Sequence, residues 1–386
     1  MNICIFGFSL SLISGHSRPA FELAHYLSRL GINVKILSST MDERRYSLHR
    51  RLLEREGLSV EVNRPFHSVT DFIRNMRNKK MKDILSWADI IHVHGFYSLF
   101  LLGTFAPIDA KVVYSVDSKL KMGITDLTAS SFLGLRNMVK PNYVGSILLP
   151  KEFFTYTFSL ADSIISWTKF TKNDATSLGA INPIQIPVGV NLERFKTEPN
   201  SVNENFVFLY LGYLASARGV KDLLNAFEYV NRKWKSTKLI IAHTGMHPSE
   251  QDILLDTIRK SRSKKAIEIV GFSTDLSQVI NRANVAVFPF RTTIGYSQPP
   301  LTVLETLAHG RPVITTHVGC LPEIIKDESN GFCIPPSNPK MLAKVMLNMH
   351  EVDLEILSTN AEEYISRHHD WQKISSSTLQ LYNKLH

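Results

Sequence analysis

The chain has 386 residues, of which 44% are hydrophobic and 20% are charged, and its formal net charge is +9. A chain of this length is too long for one ordinary hydrophobic core, so we expect two domains of roughly 150–200 residues each. The three cysteines are far apart and odd in number, which argues against both a disulfide framework and a zinc cluster.

The start of the chain and its apolar runs bear on its location. Asn2–Phe6 predicts a strand with no basic segment ahead of it, so we expect no secretory leader. No apolar run reaches the ~18 residues that span a bilayer. The longest run, around Phe96–Ile108, is interrupted by Gly103 and Pro107. We therefore expect a cytoplasmic protein, either free or peripherally bound to the cytoplasmic face of the membrane.

Much of the positive charge is concentrated in two parts of the first half. These basic clusters fit either a solvated helix face or a surface for anionic lipid headgroups or an anionic acceptor. We expect no nucleic-acid partner, because no recognised binding motif accompanies the charge. The clustered residues are Arg44, Arg45, Arg50, Arg51 and Arg55, then Arg74, Arg77, Lys79, Lys80 and Lys82.

Predicted strands and helices alternate along the first half, which is the pattern of a parallel α/β sheet. A helix lies between the first two strands, with Pro19 near its first turn and Gly31 at its end. The predicted strands are Asn2–Phe6, Val34–Leu37, Ile90–Val93, Val112–Val116 and Ser163–Ser166.

The same pattern starts again after a polar loop around residues 187–205. Each new strand is short, β-branched and apolar on both faces, as buried parallel strands are. The repeat predicts two doubly wound domains with a cleft between them, and ligands of such sheets bind beyond the carboxyl ends of the strands. The predicted strands are Phe206–Leu211, Lys238–Ala242, Ile267–Val270, Val285–Phe288 and Val313–Thr316.

The stretch Phe288–Gly331 carries the strongest chemical signal. After a strand and a loop, Pro299 and Pro300 suit the first turn of a helix over Leu301–His309 that stops at Gly310. The N-terminus of that helix offers free backbone N–H groups and the positive end of a dipole, which favour a diphosphate.

Glu305 lies one turn into this helix. A carboxylate there suits two hydrogen bonds to the vicinal hydroxyls of a ribose. It equally suits an ordinary αβ unit, in which the side chain would lie on the helix surface. The pattern of this stretch alone leaves both interpretations open.

The stretch resembles the donor-binding region of the retaining glycosyltransferase family 4, which has the GT-B fold. Matching motifs follow in the family's order over about half of the chain. They are Ile186–Phe195, Leu209–Leu214 with Arg218 and Gly219, Glu305, Gly310–Val313, Gly319–Glu323 and Asn330–Gly331.

This chain departs from the family pattern at several donor positions. The first Glu of the family's paired-Glu motif falls on Ser297, so sugar contacts would come from backbone amides and from Ser297 or Gln298. An Arg of the family falls on Tyr213, which removes one cation. A family Lys falls on Arg218, which becomes the main diphosphate cation because Arg binds phosphate bidentately. Arg291, just past a strand, is a candidate replacement for the lost Arg.

The first half resembles the family more loosely. Gly15 matches the Gly-containing loop that runs against the donor phosphates, although a GxGxxG fingerprint is absent. Asp89–Gly95 resembles the family's D-V-V-H-x-H, so His94 would contact the donor sugar or act near the reaction centre, or else cap a strand. A family His falls on Asp117, a carboxylate that would help to accept the acceptor proton.

The resemblance implies a retaining enzyme that moves a hexose-type sugar from a nucleotide-sugar donor to the hydroxyl of a glycan or lipid-linked acceptor. No Asp-x-Asp is present, so we expect no metal and no other cofactor, with the helix dipole and Arg/Lys stabilising the leaving diphosphate. Catalytic roles are implied for His94, Asp117 and Arg218. Donor binding is implied for Gly15, Gly212, Arg218, Ser297, Gln298, Leu301, Thr302 and Glu305.

The implied organisation is an acceptor-binding Rossmann-like domain over residues 1–187 and a donor-binding one over 188–367. A helix over 368–386, which begins with a W-x-x-I motif at Trp371, would cross back onto the first domain. The aromatic, apolar segment 123–159 would be part of the core or a surface for membrane or a lipid acceptor. Two alternatives remain, a sugar-nucleotide 2-epimerase and a non-catalytic nucleotide-sugar-binding subunit.

Overall fold

The chain folds into two compact units. The N-terminal unit is formed by Met1–Leu120, Leu148–Gly189 and Asp370–His386, and the C-terminal unit is built on Val190–His369. The computed structural model describes residues 1–7, 17–38, 59–62, 79–106, 108–121, 148–195, 204–246, 248–271, 276–293 and 297–386.

In its described part, the N-terminal unit contains one parallel sheet of seven strands. The strands are β1 (Asn2–Gly7), β2 (Asn33–Ser38), β3 (Ser59–Val62), β4 (Ile90–His94), β5 (Lys111–Val116), β6 (Ser163–Ser166) and β7 (Ile184–Gln185). They lie in the order β3-β2-β1-β4-β5-β6-β7, so the chain starts inside the sheet and winds outward in both directions. The helices are α1 (Arg18–Arg29), α2 (Lys79–Trp87), α3 (Phe96–Phe105), α4 (Lys151–Ser159) and α5 (Lys169–Ser177).

The described part of the C-terminal unit contains a parallel sheet of six strands. The strands are β8 (Phe206–Leu214), β9 (Thr237–Met246), β10 (Ile267–Val270), β11 (Val285–Phe288), β12 (Val313–Thr316) and β13 (Gly331–Ile334). Their order is β10-β9-β8-β11-β12-β13. The helices are α6 (Val220–Lys233), α7 (Pro248–Lys260), α8 (Leu276–Asn281), α9 (Leu301–Ala308), α10 (Leu321–Ile324), α11 (Pro339–Asn348) and α12 (Leu354–His368).

Every strand that the sequence predicts is present, and the prediction of two doubly wound α/β sheets is confirmed. The prediction that each strand of the second half is apolar on both faces is wrong for β10. This strand lies at the edge of its sheet, where Glu268 and Ile269 are exposed. The sequence also missed β3, β7 and β13, which are short and lie at sheet edges.

The last helix, α13 (Trp371–Leu385), belongs to the N-terminal unit. The Trp371 ring stacks on Tyr26 of α1 with centroids 6.2 Å apart. Gly189 leaves room for that ring, because a Cβ at this position would lie 2.4 Å from it. Farther along α13, the buried Tyr382 hydroxyl hydrogen-bonds Nδ1 of His92 in β4. The C-terminal helix is thus fixed to the sheet as well as to α1.

Membrane-crossing and metal-holding features were sought in the same residues. Within the described ranges, no helix combines the length and apolar character that crossing a bilayer requires. Nor do three or more His, Cys, Asp or Glu side chains there cluster as metal ligands would.

Replacing Tyr382 by Phe tests how α13 is held. The variant removes the hydroxyl and leaves the buried Nδ1 of His92 without this partner. We expect the free energy of unfolding to fall by about 1–3 kcal/mol, the usual cost of an unsatisfied buried polar group. Urea denaturation measures this, with Gln380→Ala on the exposed face of α13 as the control. Equal stability of Tyr382→Phe and wild type would show that the hydrogen bond does not secure the helix.

Candidate functional site

Three neighbouring strands of the C-terminal unit lead into most of the expected donor-binding residues. In the sheet β8 lies beside β11, and β11 lies beside β12, all parallel. Arg218 follows β8 in a single 3-10 turn, Ser297 and Gln298 follow β11, and Gly319 follows β12. Because the carboxyl ends of parallel strands meet at one edge, the fold gathers these residues from three parts of the chain.

Arg218 is a buried cation at this edge. Its side chain is 8% exposed, and its guanidinium carbon lies 5.2 Å from the centre of the Phe290 ring. Burial raises the pKa of Tyr210 in β8, and the positive charge of Arg218 acts in the opposite direction. Arg218 therefore lies close enough to β8 for its charge to act on the pKa of the Tyr210 hydroxyl.

Gly212 marks the point at which β8 becomes irregular. Its φ of +148° favours glycine, and the pairing of β8 with β9 shifts register between Gly212 and Leu214. Tyr210 donates a hydrogen bond of 2.5 Å to the Tyr213 carbonyl across this point. Tyr213, which stands where the family's sequence pattern has an Arg, is 44% exposed.

Arg291 does not provide a free replacement for that cation. Its Nε and Nη2 donate to the two carboxylate oxygens of Asp222 at 2.7 and 2.6 Å. This hydrogen bonding raises the pKa of Arg291, while burial acts against it. The guanidinium charge is therefore already compensated inside the protein.

Ser297 and Gln298 are both buried, but their polar groups differ in use. The Ser297 hydroxyl donates to the Pro299 carbonyl at 2.9 Å. Gln298 Oε1 accepts from the Cys320 N–H at 2.9 Å. Its Nε2 has no hydrogen-bond acceptor among the residues that the structure describes. Of the two, Gln298 presents the buried donor that a ligand can use.

The close packing of Gln298 explains the glycine at position 319. A Cβ on Gly319 would lie 2.3 Å from Gln298 Oε1, and the φ of +57° at this residue also favours glycine. The loop after β12 is therefore locked onto the loop after β11.

Helix α9 contains the residues that are expected to bind the diphosphate and the ribose of the donor. It begins at Leu301 after Pro300, which makes no side-chain cap, and ends at Ala308, one residue before the predicted end. Leu301 is buried and Thr302 is half-buried at its first turn. Glu305 is only 1% exposed, so the interpretation of this carboxylate as a surface residue is wrong.

In the N-terminal unit, His94 and Asp117 lie at the ends of adjacent strands. His94 is the last residue of β4, and Asp117 follows β5 directly. Both side chains are buried. Burial lowers the pKa of His94 to about 4, against the opposing effect of the Asp117 charge. His94 is therefore a neutral ring at physiological pH.

A second histidine holds the ring of His94. The His92 and His94 rings stack with centroids 4.8 Å apart at 22°. His92 Nε2 hydrogen-bonds Ser115 Oγ at 2.7 Å, and its Nδ1 bonds the Tyr382 hydroxyl. Burial also lowers the pKa of His92, and the neighbouring His94 adds to this.

The two ring nitrogens of His94 have no hydrogen-bond partner within the described part of the chain. A strand-capping histidine would bond neighbouring backbone groups, so this observation favours a ligand contact over a capping role. The neutral ring offers one donor and one acceptor. Asp117 accepts a 3.0 Å hydrogen bond from Ser118 through Oδ1.

Several expected features lie wholly or partly outside the described residues. Gly15 lies outside them, as do residues 122–147 and the basic clusters except for Lys79, Lys82 and the backbone of Lys80. The described end of the aromatic segment is mixed. Phe154 and Phe158 are core residues, whereas Tyr156 is 48% exposed.

Sequence reasoning missed Asp222, Phe290 and Tyr382, whose contacts join distant parts of the chain. It also missed His243, which lies in β9 directly after the predicted strand Lys238–Ala242 and which the register pairs with Gly212. His243 is half-buried, and its Nδ1 has no partner among the described residues. A histidine at the carboxyl end of a predicted parallel strand was the signal that could have identified it.

Family models match both halves of the chain. The model described as "Glycosyltransferase Family 4" matches residues 13–194. The model described as "Glycosyl transferases group 1" matches residues 205–351.

Curated relatives are glycosyltransferases of several kinds. A glycogen synthase of Mycobacterium tuberculosis is 30% identical over 178 residues, which are 45% of this chain and only 41% of that protein. An alpha-monoglucosyldiacylglycerol synthase of Acholeplasma laidlawii is 22% identical over 379 residues, 92% of this chain and 89% of that protein.

Solved structures share the fold along the whole chain. Anabaena Alr3699/HepE in complex with UDP has a TM-score of 0.78 at 16% identity, covering 100% of both chains. A sucrose-phosphate synthase of Thermosynechococcus elongatus has a TM-score of 0.76 at 17% identity, covering 100% of this chain and 98% of the other. With the family models that together span most of its length, these findings show that the chain belongs to the family 4 glycosyltransferases of GT-B fold.

Proposed function

We propose that this protein is a retaining, metal-independent glycosyltransferase that moves a hexose-type sugar from a nucleotide-sugar donor to an acceptor hydroxyl. The observation that carries the proposal is the buried carboxylate of Glu305 on α9, at the sheet edge that also holds Arg218 and Gln298. Carboxylate oxygens accept charge-assisted hydrogen bonds, and the two vicinal hydroxyls of a ribose are suitable donors to them.

The donor we propose is a UDP-hexose. Anabaena Alr3699/HepE, which shares the fold, has been crystallised with UDP, with UDP and glucose, and with UDP-glucose. In the present chain, the backbone N–H groups of Leu301 and Thr302 would face the diphosphate together with Arg218. Helix N-termini and guanidinium groups both favour phosphate oxygens.

The chemistry requires a leaving diphosphate and an attacking hydroxyl. The bond between the anomeric carbon and the diphosphate oxygen breaks, and the acceptor oxygen bonds that carbon from the same face. The acceptor proton passes to the departing phosphate, with Asp117 as an assisting base. Arg218 stabilises the developing negative charge as part of a preorganised environment. The ring of His94 hydrogen-bonds the donor sugar. Because this ring is neutral, it does not compete with Arg218 for the diphosphate.

A glycan or lipid-linked molecule is the acceptor class we propose, with peripheral binding at the cytoplasmic face of the membrane. One relative that aligns over most of the chain, from Acholeplasma laidlawii, is named as an alpha-monoglucosyldiacylglycerol synthase. Phe105 and Tyr156, on α3 and α4, are 41% and 48% exposed. The net charge of +9 would add attraction to anionic headgroups.

Incubation of the purified chain with a panel of nucleotide sugars tests the function. We expect sugar transfer from a UDP-hexose to a glycan or diacylglycerol-type lipid, with the donor's anomeric configuration retained in the product by NMR. Inversion of the anomer would refute the proposed mechanism. Formation of a 2-epimer without transfer, or donor binding without turnover, would instead identify an epimerase or a non-catalytic subunit.

A Glu305→Gln variant tests the ribose assignment. Gln keeps the size of the side chain but loses the charge-assisted hydrogen bonds, each worth about 1.5–3 kcal/mol. We therefore expect UDP to bind about 10- to 100-fold more weakly in isothermal titration calorimetry. Glu355→Gln, on an exposed position of α12, is the matched control. Equal affinities of Glu305→Gln and wild type would remove this residue from the donor site.

A His94→Phe variant tests the neutral histidine. It keeps a stacking ring but loses both nitrogens, so turnover should fall while the affinity for UDP is unchanged.

The same variant tests the lowered pKa of His94. Below pH 6.5 the unfolded chain binds a proton that the folded chain binds only near pH 4. Wild type should therefore lose about 2 kcal/mol of unfolding free energy from this group between pH 7 and pH 5, and the variant should not.

Urea denaturation at both pH values measures that difference. His350→Phe replaces an exposed histidine and is the control. If His94→Phe loses as much stability as wild type over this interval, His94 is not held neutral by the fold.

A further inference from the structure

The short turn that carries Arg218 is contacted at successive points by the loop that follows β11. The Pro289 carbonyl packs against Gly219, where a Cβ would lie 1.8 Å from its oxygen. The next residue, Phe290, places its ring 5.2 Å from the Arg218 guanidinium carbon. The Arg291 N–H then donates to the Ala217 carbonyl at 2.9 Å. Three consecutive loop residues thus touch three consecutive residues of the turn.

The side chain of Arg291 extends this contact to the helix beyond the turn. It forms a bidentate ion pair with Asp222, at 2.7 Å through Nε and 2.6 Å through Nη2. Asp222 is 5% exposed and lies in the first turn of α6. Two parallel hydrogen bonds between planar groups fix orientation as well as distance. The Arg218 turn is therefore held at its main chain and at the helix that follows it.

The loop is itself fixed to the neighbouring strand on its other side. Thr316 Oγ1 of β12 donates to the Phe290 carbonyl at 2.7 Å, and Thr315 Oγ1 donates to the Phe288 carbonyl at 2.8 Å. The Phe288 and Phe290 rings stack at 7° to each other. A continuous series of contacts therefore runs from β12 through the loop to Arg218.

The charge of Asp222 gives this arrangement a consequence for ligand binding. A buried carboxylate needs a cation or several hydrogen-bond donors. If Arg291 were absent, the Asp222 carboxylate would compete with phosphate oxygens for the guanidinium of Arg218, which lies four residues earlier in the chain. A guanidinium drawn toward Asp222 would be less available to phosphate oxygens.

We propose that Arg291 and Asp222 are positioning residues that hold Arg218 where it binds the diphosphate of the donor. This inference rests on the proposed function, because it assumes that Arg218 is a diphosphate ligand. Arg291 itself contributes indirectly: it neutralises Asp222 and locks the turn, and it does not serve as a second phosphate cation. The need for such a lock is greater in this chain because Tyr213 replaces the family's other cation.

The test compares the binding of UDP and of uridine to the full chain by calorimetry and NMR titration. Arg291→Gln should weaken UDP binding about tenfold or more, since small misplacements of a binding group carry large costs. Uridine, which lacks the diphosphate, should bind the variant and wild type equally. A general loosening of the fold would weaken both ligands, and that result would overturn the proposal.

A double-mutant cycle identifies the route through Arg218. In an Arg218→Gln background, Arg291→Gln should cost little further UDP affinity, because the group that it positions is already gone. Additive losses would instead show that Arg291 acts separately, for example by contacting phosphate itself, and would overturn the inference. Arg291→Lys should restore only part of the affinity, since Lys cannot make the bidentate pair.

Arg282→Gln provides the matched control. It removes an exposed Arg282–Glu268 pair of 2.5 Å from the same unit, and it should leave UDP affinity unchanged. Circular dichroism and urea unfolding establish that each variant is folded. Failure of wild type to bind UDP at all would refute the proposed donor. Wild-type binding that Arg291→Gln does not alter would refute only the positioning role.

Discussion

The parallel order of the strands is the constraint on which the rest of the structure depends. In the C-terminal unit, β8, β11 and β12 are adjacent although the chain visits them far apart. Their carboxyl ends therefore meet, and the segments that leave them must pack against one another. Arg218, Gln298 and Gly319 are brought together for this reason. The same rule brings His94 and Asp117 to the ends of β4 and β5 in the other unit.

The sequence could reveal this edge because strand ends and helix starts are local features. Short apolar runs located the central strands, and paired prolines located the start of α9. The prediction was weakest at sheet edges. The centre of β10, Glu268 and Ile269, is exposed, and β7 consists of two exposed residues. Edge strands do not need the apolar pattern that marks a buried strand.

The partners of the site residues could not be predicted for a different reason. Arg291 and Asp222 are 69 positions apart, and His92 and Tyr382 are 290 positions apart. No periodicity in the chain relates such positions. Arg291 in particular looked like a free cation after a strand, because sequence shows a charge but not its counter-ion. Only the packed structure distinguishes a phosphate ligand from a residue that neutralises a neighbour.

Buried polar groups are common to the candidate site residues of the N-terminal unit and of the C-terminal unit. His94 and Gln298 keep hydrogen-bonding atoms in the interior that the described residues do not use. Such atoms cost free energy in the unliganded protein, and a ligand with matching hydroxyl or carbonyl groups recovers it. Recognition built in this way rejects a ligand that lacks one matching group more strongly than an apolar pocket does.

The departures at Tyr213 and Ser297 can be understood in the same terms. Losing a cation and a carboxylate together removes charges of opposite sign, so the balance of charge at the edge is kept. In the described part of this edge, the position of Arg218 is set by an aromatic ring, a close glycine contact and a neutralised carboxylate. In the proposed reaction, a well-held charge would stabilise the leaving diphosphate better than a mobile one, because its orientation need not change during the reaction. Under the proposed function, the edge would retain the physical means for transfer despite both departures from the family pattern.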